Sequence, residues 1–290
     1  MFEPAPSLGS PSSTGSVEVP GSRLYFDEYG QGAPVILLHG ATVDRRMWDS
    51  QVEPFSRHFR VIRYDRRGDG DSPRGTQPYS DYSDVGRLMD YLGIPKAHLV
   101  GLSAGGSIAV DFALAHPERI ETLVVVPGGI GGFEWSKELD EAITAIWAAG
   151  TSGDLEKAKQ LMWESPPMVP AGSRAEVRKE IDLMLSAFKW PTDRDRAAAP
   201  RQSLQPPAIE RLEEIQAPLL IVSGDRECDD FFELGKMMAA RVLRAERVVV
   251  PGAGHMVSME NPEEFNRPVL AFLRRHAGHT SSATQPPPLP

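Results

Sequence analysis

The stretch His98-Leu99-Val100-Gly101-Leu102-Ser103-Ala104-Gly105-Gly106-Ser107 joins an aliphatic run of strand length to a segment, Ser107 to Ala115, that reads as helix. Ser103 therefore stands at a strand-to-helix turn inside a Gly-x-Ser-x-Gly pattern. The pattern arises readily by chance, and its context is what raises it. Glycines on both sides of the serine permit a tight backbone, and the helix start behind it aims positive partial charge where an oxyanion would form. The plainer alternative for Ser103 is an N-cap serine that satisfies backbone donors and nothing more.

Working outward, short β-branched or aliphatic runs recur at Val35 to Leu38, Val61 to Tyr64, Leu123 to Val126, Leu219 to Val222 and Arg247 to Val250. Such runs suit a sheet covered on both faces. Helical periods lie between them: Trp48, Val52, Phe55 and Phe59 share one face, as do Tyr82, Val85, Met89 and Leu92. The alternation predicts an α/β fold with a mostly parallel sheet, because parallel strands need crossovers and these are usually helices. Later helices are expected over Phe231 to Leu243 and Pro262 to His276, the second with Asn261 as N-cap. Before the first parallel strand, alternation from Ser16 to Tyr29 around Pro20-Gly21 predicts an antiparallel hairpin.

The rhythm breaks between Ile130 and Ala217, where helical segments such as Glu138 to Ala149 and Ala175 to Phe188 are punctuated by prolines and no strand is evident. This divides the chain into core segments 16–129 and 218–276, a helical cap at 130–217, and disordered tails at 1–15 and 277–290. Trp135, Trp147, Trp163 and Trp190 fall in the cap. Trp48, Trp135 and Trp163 are the candidates for an apolar substrate pocket, the alternative being that they pack the cap on the core.

Composition excludes several classes. No apolar run approaches the ~18 residues of a transmembrane helix, and the N-terminus lacks the basic start and apolar block of an export signal. With a net charge of −9 and dispersed Arg and Lys, the chain lacks the basic footprint of a nucleic-acid binder. Cys228 is the only cysteine, which rules out an intramolecular disulfide and fits a reducing cytoplasm. The histidines match no metal-ligand spacing, so neither metal nor cofactor is expected, and the expected partner is a small molecule. The oligomeric state stays open, a homo-oligomer included.

Two further stretches complete a candidate site. After Val35 to Leu38 comes His39-Gly40, and the backbone N–H of Ala41, together with that of Ala104, would form an oxyanion hole. His39 itself reads better as a structural histidine bonded to loop backbone. His255 follows the strand Arg247 to Val250 in Pro251-Gly252-Ala253-Gly254-His255, a glycine-rich loop that can present an imidazole to a serine on a neighbouring strand. Its place after Ser103 in chain order selects it as the base over the other histidines.

Over Ser16 to His276 the chain resembles the α/β-hydrolase superfamily, near its small bacterial esterase and lactonase-like branch. The resemblance rests on His39-Gly40, on Asp65-Arg66-Arg67-Gly68-Asp69-Gly70-Asp71-Ser72, on the turn around Ser103, on His116-Pro117-Glu118-Arg119 and on Gly252-Ala253-Gly254-His255. It implies an eight-stranded, mostly parallel sheet with a cap, no cofactor, and a Ser-His-acid triad acting on an ester or lactone. The family's acid follows the strand read as Leu219 to Val222, usually in Gly-x-x-Asp. Here the run is Gly224-Asp225-Arg226-Glu227, which ranks Glu227 first, Asp225 second and Asp229 third. A serine nucleophile speaks against epoxide hydrolase and dehalogenase chemistry, which uses aspartate. Carbon–carbon hydrolysis, perhydrolase activity and a non-catalytic ligand-binding or signalling role on the same scaffold remain alternatives.

Overall fold

The computed structural model describes residues 9–277. Its eight strands form one sheet: β1 Ser13–Val19, β2 Ser22–Tyr29, β3 Pro34–Leu38, β4 Arg60–Tyr64, β5 Ala97–Leu102, β6 Ile120–Val126, β7 Leu219–Gly224 and β8 Ala245–Val250. The strand order is β1-β2-β4-β3-β5-β6-β7-β8, antiparallel where β2 meets β1 and β4 and parallel elsewhere. The mostly parallel sheet is the one expected from the alternation, and its eight strands are those the resemblance to the α/β-hydrolases implies. The hairpin turns at Pro20-Gly21 as expected, but β1 starts at Ser13, three residues inside the expected tail. Ser13, Thr14 and Gly15 pair with Glu28, Asp27 and Phe26. An edge strand gains ladder hydrogen bonds without burying side chains, so hydrophobic alternation gives no sign of them. Of the expected tails, residues 1–8 and 278–290 lie outside the described residues.

Around the sheet lie α1 Asp49–Ser56, α2 Asp81–Tyr91, α3 Ala104–Ala115, α4 Lys137–Thr151, α5 Leu155–Glu164, α6 Val169–Gly172, α7 Ala175–Ala187, α8 Asp193–Ala198, α9 Asp229–Arg241, α10 Val257–Glu260 and α11 Pro262–His276. The period-2 geometry of strands sends alternate side chains to opposite faces, and both faces are buried. Ile36, Leu38, Leu99 and Leu123 join one apolar cluster with Val85 and Met89 of α2 and Ile108 and Phe112 of α3. Val35, Leu37, Val100 and Val124 join the other with Phe55 of α1 and Phe265 and Phe272 of α11. Helices α4 to α8 lie between β6 and β7, in the stretch expected to form a cap, and Trp163, Val177 and Ile181 merge into the second cluster.

Helix ends follow local chemistry. Helix α9 begins at Asp229 rather than Phe231, placing Asp229 and Asp230 in its first turn, where carboxylates complement the helix dipole. Asn261 does occupy the N-cap of α11, but its side chain donates to the Pro251 carbonyl at 3.1 Å instead of capping the helix. That bond ties the start of α11 to the loop that carries His255.

Candidate active site

Ser103 lies between the end of β5 and the start of α3 with φ +55° and ψ −117°, a conformation that residues with a Cβ rarely adopt. Its amide donates to the Val126 carbonyl of β6 at 2.9 Å, and its carbonyl accepts the Ser107 amide at 3.0 Å. The turn closes only because of its glycines. A Cβ on Gly105 would collide with the Leu38 carbonyl of β3, and one on Gly101 with the Gly105 backbone. Backbone contact between β3, β5 and α3 thus holds the serine at the C-terminal edge of the sheet. Its Oγ makes no hydrogen bond among the described residues, and Ser103 and His255 line the same 90 Å³ cavity.

His255 follows β8 on the loop Pro251 to Met256, and its Nδ1 lies 2.9 Å from Glu227 Oε2, both side chains being buried. A carboxylate can only accept, so Nδ1 carries the proton and Nε2 keeps a free lone pair. The other oxygen of Glu227 accepts the Cys228 amide at 3.0 Å. Burial, reinforced by the Glu227 charge, pushes the Cys228 thiol up to about 12, so the only cysteine stays protonated. Phe231 stacks at a tilt on the imidazole, ring centres 4.6 Å apart. The other two carboxylates sit elsewhere: Asp225 is exposed and accepts the Gly252 amide at 2.7 Å, and Asp229 is exposed at the start of α9.

The loop carrying His255 is strapped from beneath. The buried Glu260 carboxylate accepts the amides of Gly254 and Met256, the residues flanking His255, each at 3.0 Å. Arg174, the residue preceding α7 in the cap, donates to the carbonyls of Glu260 and Gly252. Burial raises the Glu260 pKa, against the lowering effect of those two amides and of Arg174.

Ala41 lies just past His39-Gly40 beyond β3, and Ala104 is the first residue of α3. Neither amide donates to a protein acceptor among the described residues. His39 is fully buried between the Gly40 carbonyl, 2.8 Å from Nδ1, and the Arg66 amide, which donates to Nε2 at 3.0 Å. Burial and the Arg66 charge lower its pKa to about 3, so it is a neutral structural histidine. Asp65 accepts the amides of Arg45 and Asp71 at 2.9 Å each, and Ser72 donates to the Asp65 carbonyl at 2.8 Å. The acidic-glycine motif is therefore a knot that fixes the Ala41 loop against β4.

The three tryptophans singled out in the sequence do not line the cavity at Ser103, a correction with a packing reason in each case. Trp48 is fully buried against Phe265 of α11, Trp135 packs edge-on to Phe231, and Trp163 donates from Nε1 to Asp182 at 2.8 Å, joining α5 to α7. The tryptophan on the cavity wall is Trp147 of α4, together with Val43, Ile146, Met168 and Phe231. Sequence reasoning also missed Gly128, where a Cβ would strike Ser103 Oγ, and the strap formed by Glu260 and Arg174. The glycine pair Gly128-Gly129, one proline past β6, was the available sign of the first, whereas the strap joins segments with no sequence pattern in common.

Residues 35–267 match the alpha/beta hydrolase family. The chain is 32% identical over 268 residues to a 2-hydroxy-6-oxononadienedioate/2-hydroxy-6-oxononatrienedioate hydrolase of Burkholderia vietnamiensis, covering 87% of this chain and 91% of the relative. A solved structure described as Est816, an N-acyl homoserine lactone degrading enzyme, superposes with a TM-score of 0.73 at 27% identity, covering 89% of this chain and all of the other (100%). A thermophilic esterase from Thermogutta terrifontis gives 0.72 at 26% identity, with 91% and 100% covered. With a family match over most of its length and hydrolases among its relatives, the chain belongs to the alpha/beta hydrolase family and is a hydrolase.

Proposed function

We propose that the protein cleaves a carboxylic ester or lactone of a small molecule through Ser103, His255 and Glu227. His255 Nε2 takes the Ser103 proton as Oγ attacks the carbonyl carbon, and the resulting oxyanion is held by the amides of Ala41 and Ala104. Each such donor contributes about 2.7–4 kcal/mol to comparable transition states. Collapse breaks the bond to the alcohol oxygen, which leaves with the proton from His255. Water then gives a proton to His255 and attacks the acyl-enzyme, and as the bond to Oγ breaks His255 returns that proton to Ser103 and the carboxylic acid leaves. Glu227 holds the imidazole in the required tautomer and offsets its charge once protonated.

The observation that carries this reading is the 2.9 Å contact between Glu227 and His255 beside a serine held at positive φ. Catalytic hydrogen bonds are often long before substrate arrives, and the unbonded Ser103 Oγ fits that behaviour. The esterase and the lactone-degrading enzyme among the structural neighbours support this reaction class. The single cysteine supports a reducing, cytoplasmic setting.

The test is Ser103→Ala assayed with p-nitrophenyl butyrate, with fluorophosphonate labelling of the wild type in parallel. Turnover should fall at least about a thousandfold, and the probe should modify Ser103. Undiminished turnover removes Ser103 from the mechanism. Failure of the probe to react supports instead a ligand-binding protein on a hydrolase scaffold.

A further inference from the structure

Ser103 lines one cavity, and a second whose wall carries charged side chains borders it. The 90 Å³ cavity on the His255 side is walled by apolar side chains. Past Ala41 and Ala104 opens a second cavity of 660 Å³ between core and cap, and Ala41, Thr42 and Trp147 border both. Its wall carries five arginines, Arg66, Arg67, Arg74, Arg196 and Arg201, against three aspartates, Asp69, Asp81 and Asp195. That local excess of positive charge runs against a chain whose net charge is −9.

Three of the arginines are matched by carboxylates: Arg66 by Asp69 at 2.7 Å, Arg67 by both oxygens of Asp84, and Arg201 by Asp81. Arg74 and Arg196 have no ion-pair partner among the described residues. Asp195 is engaged by Thr192, whose amide and hydroxyl it accepts at 2.9 and 2.7 Å. The Arg196 guanidinium lies 5.8 Å from the centre of the Trp147 ring, at the border of the two cavities. On the same wall, Arg66 Nε and Arg74 Nη2 are buried donors with no acceptor. Buried donors without a partner are uncommon in folded proteins, and these two add to the positive charge of the wall.

The proposed chemistry orients the substrate. His255 must protonate the departing alcohol, so the alcohol portion occupies the apolar cavity that His255 lines, and the acyl portion runs past Ala104 into the arginine-lined one. We infer that the substrate is an ester of an apolar alcohol whose acyl chain ends in a carboxylate, and that Arg74 and Arg196 receive that carboxylate. This rests on Ser103 being the nucleophile, and the experiment separates the two statements.

Two esters of equal chain length, p-nitrophenyl hydrogen adipate and p-nitrophenyl hexanoate, are compared by kcat/KM. The wild type should prefer the anionic ester by about tenfold or more at low salt. The preference should shrink between about 0.01 M and about 1 M ionic strength, as the screening length falls from about 30 to about 3 Å. In the Arg74→Gln/Arg196→Gln double variant the ratio of anionic to neutral kcat/KM should fall about tenfold. A wild-type preference for hexanoate overturns the inference whether or not the variant folds, and so does an unchanged ratio in the folded variant. Calorimetric titration of Ser103→Ala with adipate distinguishes the readings. Adipate binding that the two arginine substitutions abolish, in a Ser103→Ala protein that still turns over ester, leaves the anion site standing and rejects the nucleophile. An inactive Ser103→Ala protein that does not bind adipate rejects the anion site and leaves the nucleophile.

Discussion

An imidazole can take a proton from a hydroxyl only while one ring nitrogen is unprotonated and aimed, and Glu227 meets that requirement by occupying Nδ1 of His255. One methylene longer than the usual aspartate, it reaches the ring from a turn whose first carboxylate, Asp225, is engaged with the Gly252 amide. Glu227→Gln keeps the shape and removes the charge that stabilises imidazolium, so kcat should fall about 10²–10⁴-fold. Asp225→Asn retains an oxygen for the Gly252 amide and should stay within about threefold of wild type. Steady-state assay of both variants on p-nitrophenyl butyrate decides the matter, and a larger loss in Asp225→Asn would transfer the role to Asp225. Ser103, His255 and Glu227 could be singled out as candidates because each follows a strand end in a turn of restricted composition. The pocket wall was not: which of five tryptophans faces a cavity depends on helix rotation within the cap, and aromatic composition carries no such information.

At the scale of elements, the strands could be read because a sheet buried on both faces leaves continuous aliphatic runs, and the helix over Pro262–His276 because proline and a polar residue mark its start. What could not be read are ties between elements far apart in the chain. The start of α7 is one: Arg174 reaches across to the carbonyls of Gly252 and Glu260, on either side of the histidine. An Arg174→Ala variant leaves those carbonyls to water and loosens the loop, so kcat should drop about tenfold with KM little changed. Arg174→Lys, which keeps one donor, should recover part of the loss. A change in KM alone, or no recovery by lysine, would show that α7 shapes the substrate cavity and does not position His255.

The whole molecule carries a titration that catalysis does not use. Asp111, in the middle of α3, is buried with one carboxylate oxygen unpaired, and desolvation pushes its pKa up to about 6. A carboxyl with a higher pKa folded than unfolded binds its proton more tightly in the folded state. The contribution of Asp111 to stability is therefore most favourable below about pH 4 and is lost as pH rises through about 6. Asp111→Asn removes the charge, so the variant should be more stable than wild type by about 1–3 kcal/mol above pH 6, with the difference vanishing below about pH 4. Urea unfolding at several pH values measures it, and a variant less stable at neutral pH would mean that attraction to Arg201 outweighs desolvation. The open margins of the sheet have a consequence of their own. The outer strand β8 offers unpaired main-chain groups along its length, yet it bears Glu246, paired with Arg275 of α11, and Arg247, stacked over Phe232. A neighbouring molecule that extended the ladder there would have to strip water from the half-exposed Glu246 and Arg275, a cost that disfavours edge-to-edge pairing in a crowded solution.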